Sequence, residues 1–127
     1  MGLGDSVEKT VLVVDDYDEV RLVTRQALES FGYRVLEAAN GAEAVRVAQD
    51  SSPDLILMDL SMPAMDGFAT IHQLRKLLGL RDVPVIAVSA HTAREIREDA
   101  IAAGCRDFIT KPVHLGKLKS AVERHLS

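Results

Sequence analysis

A single cysteine, Cys105, is all that the 127 residues carry, which excludes an internal disulfide and fits a reducing compartment, the cytoplasm. Cys105 itself reads as a small buried hydrophobe. No run of basic residues occurs, and the net charge is −4 from 15 basic and 19 acidic residues, so nucleic-acid binding has no electrostatic footprint. No apolar stretch approaches the roughly 18 residues that cross a bilayer, so no membrane partner is expected. The opening MGLGDSVEK lacks the apolar core of a signal peptide. Gly2 through Ser6 fit the N-myristoylation pattern formally, yet residues 1–9 read as a short flexible lead. There is no repeat, no linker and no pair of histidines at metal-ligand spacing. What remains is 47% hydrophobic and 27% charged, enough for one domain with an ordinary core.

The most informative stretch is DLILMD, Asp54 to Asp59. Leu55 to Met58 run apolar without alternation, as in a strand buried on both faces of a parallel sheet, and Pro53, Pro63 and Gly67 punctuate it. Asp59 stands at the carboxyl end, where open α/β sheets place their ligand crevice. A carboxylate there is either a loop cap or a working group. VLVVDD repeats the pattern, with Val11 to Val14 ending in Asp15 and Asp16. VPVIAVSA ends at Ser89, and RDFITKP ends at Lys111 before Pro112. If the four strands are parallel and adjacent, three carboxylates, a hydroxyl and an ammonium meet on one edge. Clustered carboxylates call for a hard divalent cation, and that combination suits phosphoryl transfer.

The acidic pair, the central strand-end Asp, the later Ser and the Lys-Pro, in this order and spacing, resemble the receiver domain of two-component response regulators. The likeness runs from about Thr10 to His125. It implies that Asp59 is the phosphoacceptor, attacking phosphorus to give an aspartyl phosphate. It implies Mg²⁺ as cofactor, held directly by Asp16 and Asp59, through water by Asp15, and by the backbone carbonyl of Ser61. Lys111 then reaches a phosphoryl oxygen as a point charge, with a cis Lys111-Pro112 peptide, and Ser89 bonds the phosphoryl group. Phe108 takes the place of an aromatic that turns inward on activation, making Ser89 and Phe108 the switch pair. Without a phenolic hydroxyl, Phe108 is expected to have packing alone to hold it. His91 is placed near the approach of water, while His72, His114 and His125 read as solvated helix residues.

The rest of the chain fits five β-α pairs. Val20, Val23, Ala27, Leu28 and Phe31 share a helical face that Gly32 ends. Tyr33 to Glu37 form the second strand. Asn40 with Glu43 forms a capping box for a helix to about Asp50. Phe68, Ile71, Leu74 and Leu78 mark a third helix ending near Gly79. Thr92 with Glu95 caps a fourth, carried by Ile96, Ala100 and Ala103 to Gly104. Phe108 to Thr110 are the last strand, and Leu115, Leu118 and Val122 stripe the last helix. Right-handed crossovers favour a doubly wound, five-stranded parallel sheet of order 2-1-3-4-5, a flavodoxin-like three-layer α/β sandwich. The receiver is expected over residues 10–127.

The function so implied is a phosphorylation-activated signalling switch. The resemblance implies a histidine kinase or histidine phosphotransfer protein as donor. It also implies a downstream protein partner met through the fourth and fifth strands and their helices, a face with Arg94, Arg97, His114 and Lys117. Because the chain stops with the last helix, no DNA-binding or enzymatic output is expected, in a stand-alone regulator or in one receiver of a larger protein. Two rivals are a haloacid-dehalogenase-like phosphatase, suggested by DYDEV at Asp16 to Val20, and a receiver-like module that takes no phosphate. Against the first, the strand ends one residue early and a late acidic pair is missing. Against the second, none of the five signature residues is lost.

Overall fold

The computed structural model describes residues 8–61, 67–77, 82–90 and 94–126. Five strands alternate with five helices: β1 (Thr10–Val14), α1 (Asp18–Ser30), β2 (Arg34–Ala38), α2 (Gly41–Ser51), β3 (Leu55–Asp59), α3 (Gly67–Lys76), β4 (Val85–Ser89), α4 (Arg94–Ala102), β5 (Asp107–Thr110) and α5 (Leu115–Leu126). The strands form one parallel sheet in the order β2-β1-β3-β4-β5, as the alternation and crossover rules require. Every residue of β3 and β4 is buried, and four of the five in β1 are, because helices cover both faces of these inner strands. The edge strands β2 and β5 are only partly buried.

Alternation along the strands feeds two cores. One side takes Leu12, Val14, Ile56, Met58 and Ala87 with Ala48, Ile71, Leu74 and Ala100 of α2, α3 and α4. The other takes Val11, Val13, Leu55, Leu57 and Ile86 with Leu28 of α1 and Leu118 and Val122 of α5. Cys105 lies 4% exposed in the first core, and burial pushes its thiol up to about 11, so it is a packing residue.

The helix boundaries follow their chemistry. Gly32 takes φ +98° after the last turn of α1, a conformation that glycine adopts without strain. Asn40 accepts from the Glu43 N–H at 2.9 Å, and the Glu43 carboxylate returns to the N–H of Ala39 at 2.9 Å, one residue before the cap. Leu78 and Gly79, the Thr92 cap with Glu95, His91, Pro63 and residues 1–7 of the expected lead lie outside what the structure describes.

Two stripes differ from expectation. On α1 only Ala27 and Leu28 are buried, while Val20 is 40% and Val23 59% exposed. Val20 and Val23 line an open cleft with Pro112 and Val113, so this face of α1 is left facing solvent. Leu115 is likewise exposed in the first turn of α5, and Ala121 joins Leu118 and Val122 in the core instead.

Candidate phosphoryl and metal site

The register of the parallel sheet brings the strand ends together. Val14 pairs with Met58, and Asp59 pairs with Val88, so the residues just past β1 flank the end of β3. One ligand atom from each of Asp15, Asp16 and Asp59 lies within 4.8 Å of the others. Lys111 closes the group from the end of β5, with Nζ 3.2 Å from Asp59 Oδ2 and 3.4 Å from Asp15 Oδ2. Three carboxylates against one ammonium leave an excess of two negative charges.

Local geometry fixes each carboxylate. Asp59, 2% exposed, accepts the Ser61 N–H on Oδ1 at 2.8 Å, so Oδ2 is the oxygen facing Lys111. Asp15 accepts the Tyr17 N–H at 2.9 Å in a tight turn leading into α1, whose N-cap Tyr17 makes no side-chain capping bond and whose first turn carries Asp18 and Glu19. Burial is the main cause that raises the Asp15 carboxyl above the ordinary range. The Tyr17 N–H and Lys111 oppose it, and the Asp59 charge adds to it. Burial pulls the Lys111 ammonium down, but Asp59 and Asp15 together outweigh it and hold Lys111 above the usual lysine value.

Asp16 differs from its neighbours. Its Oδ1 is buried with no hydrogen-bond partner among the described residues. A buried carboxylate oxygen without a donor is costly unless a cation meets it. The excess charge, the all-oxygen donor set and this orphaned atom fit a magnesium-type ion. Gly67 closes the loop after Asp59. A Cβ there would come within 2.9 Å of the Asp59 carbonyl oxygen, so any larger residue would push α3 off the site.

The remaining sequence-predicted residues fall as follows. Ser89 is 1% exposed at the end of β4, next to β3, and its carbonyl accepts the Lys111 N–H at 2.8 Å. The Lys111-Pro112 peptide is cis. Ser61 offers its N–H to Asp59, and its Oγ is buried without a partner among the described residues. Phe108 lies on the α4 side of β5, packed against the first core. It is not held by packing alone, because the Arg97 guanidinium sits over its ring, 5.4 Å from the centroid. His72 and His114 are exposed, whereas His125 is half-buried with Nε2 3.1 Å from Asp107, so it is not a free solvated residue.

Arg21 is the residue that sequence reasoning missed. Its side chain is 15% exposed. Nη1 donates to the Asp15 carbonyl at 2.7 Å, Nε to Glu37 at 3.1 Å and Nη2 to Asp18 at 2.7 Å. The fork ties β2, α1 and the acidic loop together. The available signal was an Arg one helical turn after an acidic strand end, which reads equally as a solvated helix residue. Arg21→Ala should weaken Mg²⁺ binding about tenfold or more, the usual effect of removing a group that orients ligands. Arg21→Lys should restore little, since a compact ammonium cannot span three acceptors that three separate guanidinium nitrogens reach. Calorimetric titration well below the melting temperature tests this, with Asp16→Ala as the full-loss reference. An unchanged affinity in Arg21→Ala would reduce Arg21 to a structural tie.

A doubly wound sheet with acidic groups and a lysine at the carboxyl ends of its strands defines a receiver-type α/β protein. Residues 11–123 match the response regulator receiver domain, and the chain belongs to that family. It is 35% identical over 118 residues to the chemotaxis protein CheY of Bacillus subtilis, covering 92% of this chain and 97% of that protein. Among solved structures, chemotaxis protein CheY4 of Vibrio cholerae superposes with a TM-score of 0.91 at 30% identity, over 94% of this chain and 100% of that one. The receiver domain of a sensor histidine kinase from Pseudomonas aeruginosa, solved with a magnesium ion coordinated in the active site cleft, gives 0.86 at 33% identity, over 94% and 98%. Other relatives are longer. The chain spans 15% of the sensor histidine kinase CheAY of Helicobacter pylori and 48% of the transcriptional regulatory protein PrrA of Mycobacterium tuberculosis. As a receiver the chain is a phosphorylation-activated signalling switch rather than an enzyme of the ordinary kind. The comparisons favour neither rival reading.

Proposed function

We propose that the chain takes a phosphoryl group onto Asp59 from a phosphohistidine of a histidine kinase or phosphotransfer protein, and signals through the face formed by β4, β5, α4 and α5. The observation that carries this reading is the buried Asp59 carboxylate, held by the Ser61 N–H and set between two further carboxylates and Lys111. Asp16, Asp59 and the Ser61 carbonyl would hold Mg²⁺, with Asp15 acting through water. The ion when bound supplies positive charge to neutralise the transferring group. The receiver unit is taken as residues 10–127.

In the transfer, an Asp59 oxygen forms a bond to phosphorus as the phosphorus–nitrogen bond of the donor breaks. The departing imidazole nitrogen keeps the electron pair and becomes neutral. Lys111, already 3.2 Å from Asp59, moves its contact to a phosphoryl oxygen, and the Ser89 hydroxyl accepts a similar role. Donor access fits the surface. Val20, Val23, Pro112 and Val113 line an apolar cleft of about 630 Å³ with Lys111 at its margin, where a donor helix can seat its own apolar residues.

Incubation with acetyl phosphate tests the chemistry without a kinase. Mass spectrometry should show one added phosphate that depends on Mg²⁺ and is lost to base or hydroxylamine, as an acyl phosphate is. A phosphate stable to hydroxylamine, or uptake indifferent to Mg²⁺, would sink the reading.

A further inference from the structure

A small cavity of about 20 Å³ lies against the phosphoryl site, within the core on the α1 and α5 side of the sheet. Val13, Leu57 and Val88 line it from β1, β3 and β4, and Leu118 lines it from α5. Asp15, Asp59 and Lys111 of the site itself complete the lining. Protein interiors pack so densely that gaps of this size are few, which makes its place beside the reacting group informative. Most of the lining is aliphatic, and Thr24 in the wall already gives its hydroxyl to the Val20 carbonyl at 2.9 Å. Cavities of that character stay dry, so this one is slack in the packing.

Lys111 stands between two spaces. It lines the cavity and also the open apolar cleft of about 630 Å³, sharing both walls with Val20, Thr24 and Val113. Its side chain is 19% exposed, and Nζ is 3.2 Å from Asp59 Oδ2. The Ser61 N–H holds Oδ1, which leaves Oδ2 as the oxygen free to take phosphorus. A phosphoryl group bonded to Oδ2 needs space that the ammonium now fills. The lysine must therefore draw back without carrying its charge away from the site. A stem packed at full interior density has nowhere to go.

We propose that the cavity is the working room of Lys111, and that Val13 and Val88 are positioning residues that set its size. The inference rests on the reading of Asp59 given above. Drawing back into the cavity keeps the aliphatic stem out of water and leaves Nζ within reach of the new phosphoryl oxygens. Drawing back toward the cleft would carry the ammonium into solvent and weaken its hold on the group. Unfilled volume lowers stability, and one added methylene would recover part of it. The fold forgoes that stability beside the one lysine that has to move.

Val13→Ile adds a methylene to the cavity wall and separates stability from rate. The variant should melt about 2 °C or more above the wild type and bind Mg²⁺ with the same Kd. It should take phosphate from acetyl phosphate about tenfold more slowly, a loss within what ångström-scale misplacement costs. Val11→Ile, in the same core but not on the cavity, should leave the rate unchanged. Leu118→Val reopens the space from the α5 side, so Val13→Ile/Leu118→Val should recover the rate while melting below Val13→Ile. Val88→Ile fills the cavity from β4 and replaces Val13→Ile if that variant folds poorly. Nuclear relaxation at Lys111 Cε reads the lysine directly, and its motion should be damped by filling and restored by Leu118→Val. Filled variants that keep the wild-type rate, or a slow rate that Leu118→Val does not rescue, overturn the proposal. So does a Lys111 equally mobile in every variant. A wild type that takes no phosphate, with Lys111 still damped by filling, faults the Asp59 reading and leaves the cavity as the room of the lysine.

Discussion

Asp59→Asn should abolish phosphate uptake from acetyl phosphate and, without divalent cation, raise the melting temperature by several degrees. The two effects share one cause. The wild-type site confines three carboxylates within 4.8 Å in a largely buried pocket with one ammonium. At an effective dielectric near 20, each unit pair at about 4 Å is worth about 4 kcal/mol. Removing the Asp59 charge relieves two repulsions and forfeits one attraction, so the balance favours the variant. Asn keeps the Oδ1 acceptor for the Ser61 N–H, and the loop geometry survives. Each kcal/mol gained is about 3–5 °C in a chain of this size. The Asp15 carboxyl, raised by burial and further by Asp59, should move back toward its ordinary value. Because its folded value lies above the unfolded one, Asp15 opposes folding once it ionises. The apo protein should therefore gain stability as pH falls through that raised value toward the ordinary carboxylate range, and the variant should gain less. Mass spectrometry and thermal melts in chelator check both halves. A variant that still takes phosphate removes Asp59 as acceptor, and one that melts lower shows that the Lys111 attraction dominates.

Much of this arrangement was legible because period and position carried it. Leu55 to Met58 could be unbroken apolar only if helices covered both faces, and β3 lies in the middle of the sheet. The acid at the end of that strand then had to sit beside the end of β1. The failures share a different cause. Val20 and Val23 have helical apolar spacing, but spacing does not say whether a neighbouring element closes over that face, and here both line an open cleft beside Pro112 and Val113. Arg21 has the sequence context of a solvated residue. Its burial comes from Glu37 sixteen positions away and from a backbone carbonyl, neither of which has a local signature. The same holds for Arg97 over Phe108 and for His125 on Asp107, pairs that only the packing of α4 and α5 against β5 brings together.

Lys111→Met should destabilise the apo protein by about 3 kcal/mol, near the lower end for removing one partner of a buried ion pair, because the lysine side chain keeps 19% exposure. The loss arises mostly from what stays behind. Asp15 and Asp59 each lose their ammonium, while their mutual repulsion and burial remain. Met fills the same volume, so the packing of Lys111 is preserved and the effect reports charge. Saturating Mg²⁺ should recover most of the loss, since the ion takes over neutralisation and stabilises by mass action, about 2.7 kcal/mol at a hundredfold excess over Kd. The pH dependence gives an independent check. Asp59 and Asp15 hold the folded Lys111 above its unfolded value, so its contribution is complete below the ordinary lysine range near about 10.4. It disappears as pH climbs through the raised folded value. The stability difference between wild type and Lys111→Met, measured by urea titration in chelator, should therefore be flat from neutrality to about pH 10 and shrink above it. A difference that instead vanishes on acidification, while staying constant at alkaline pH, would place the effect on the carboxylates alone.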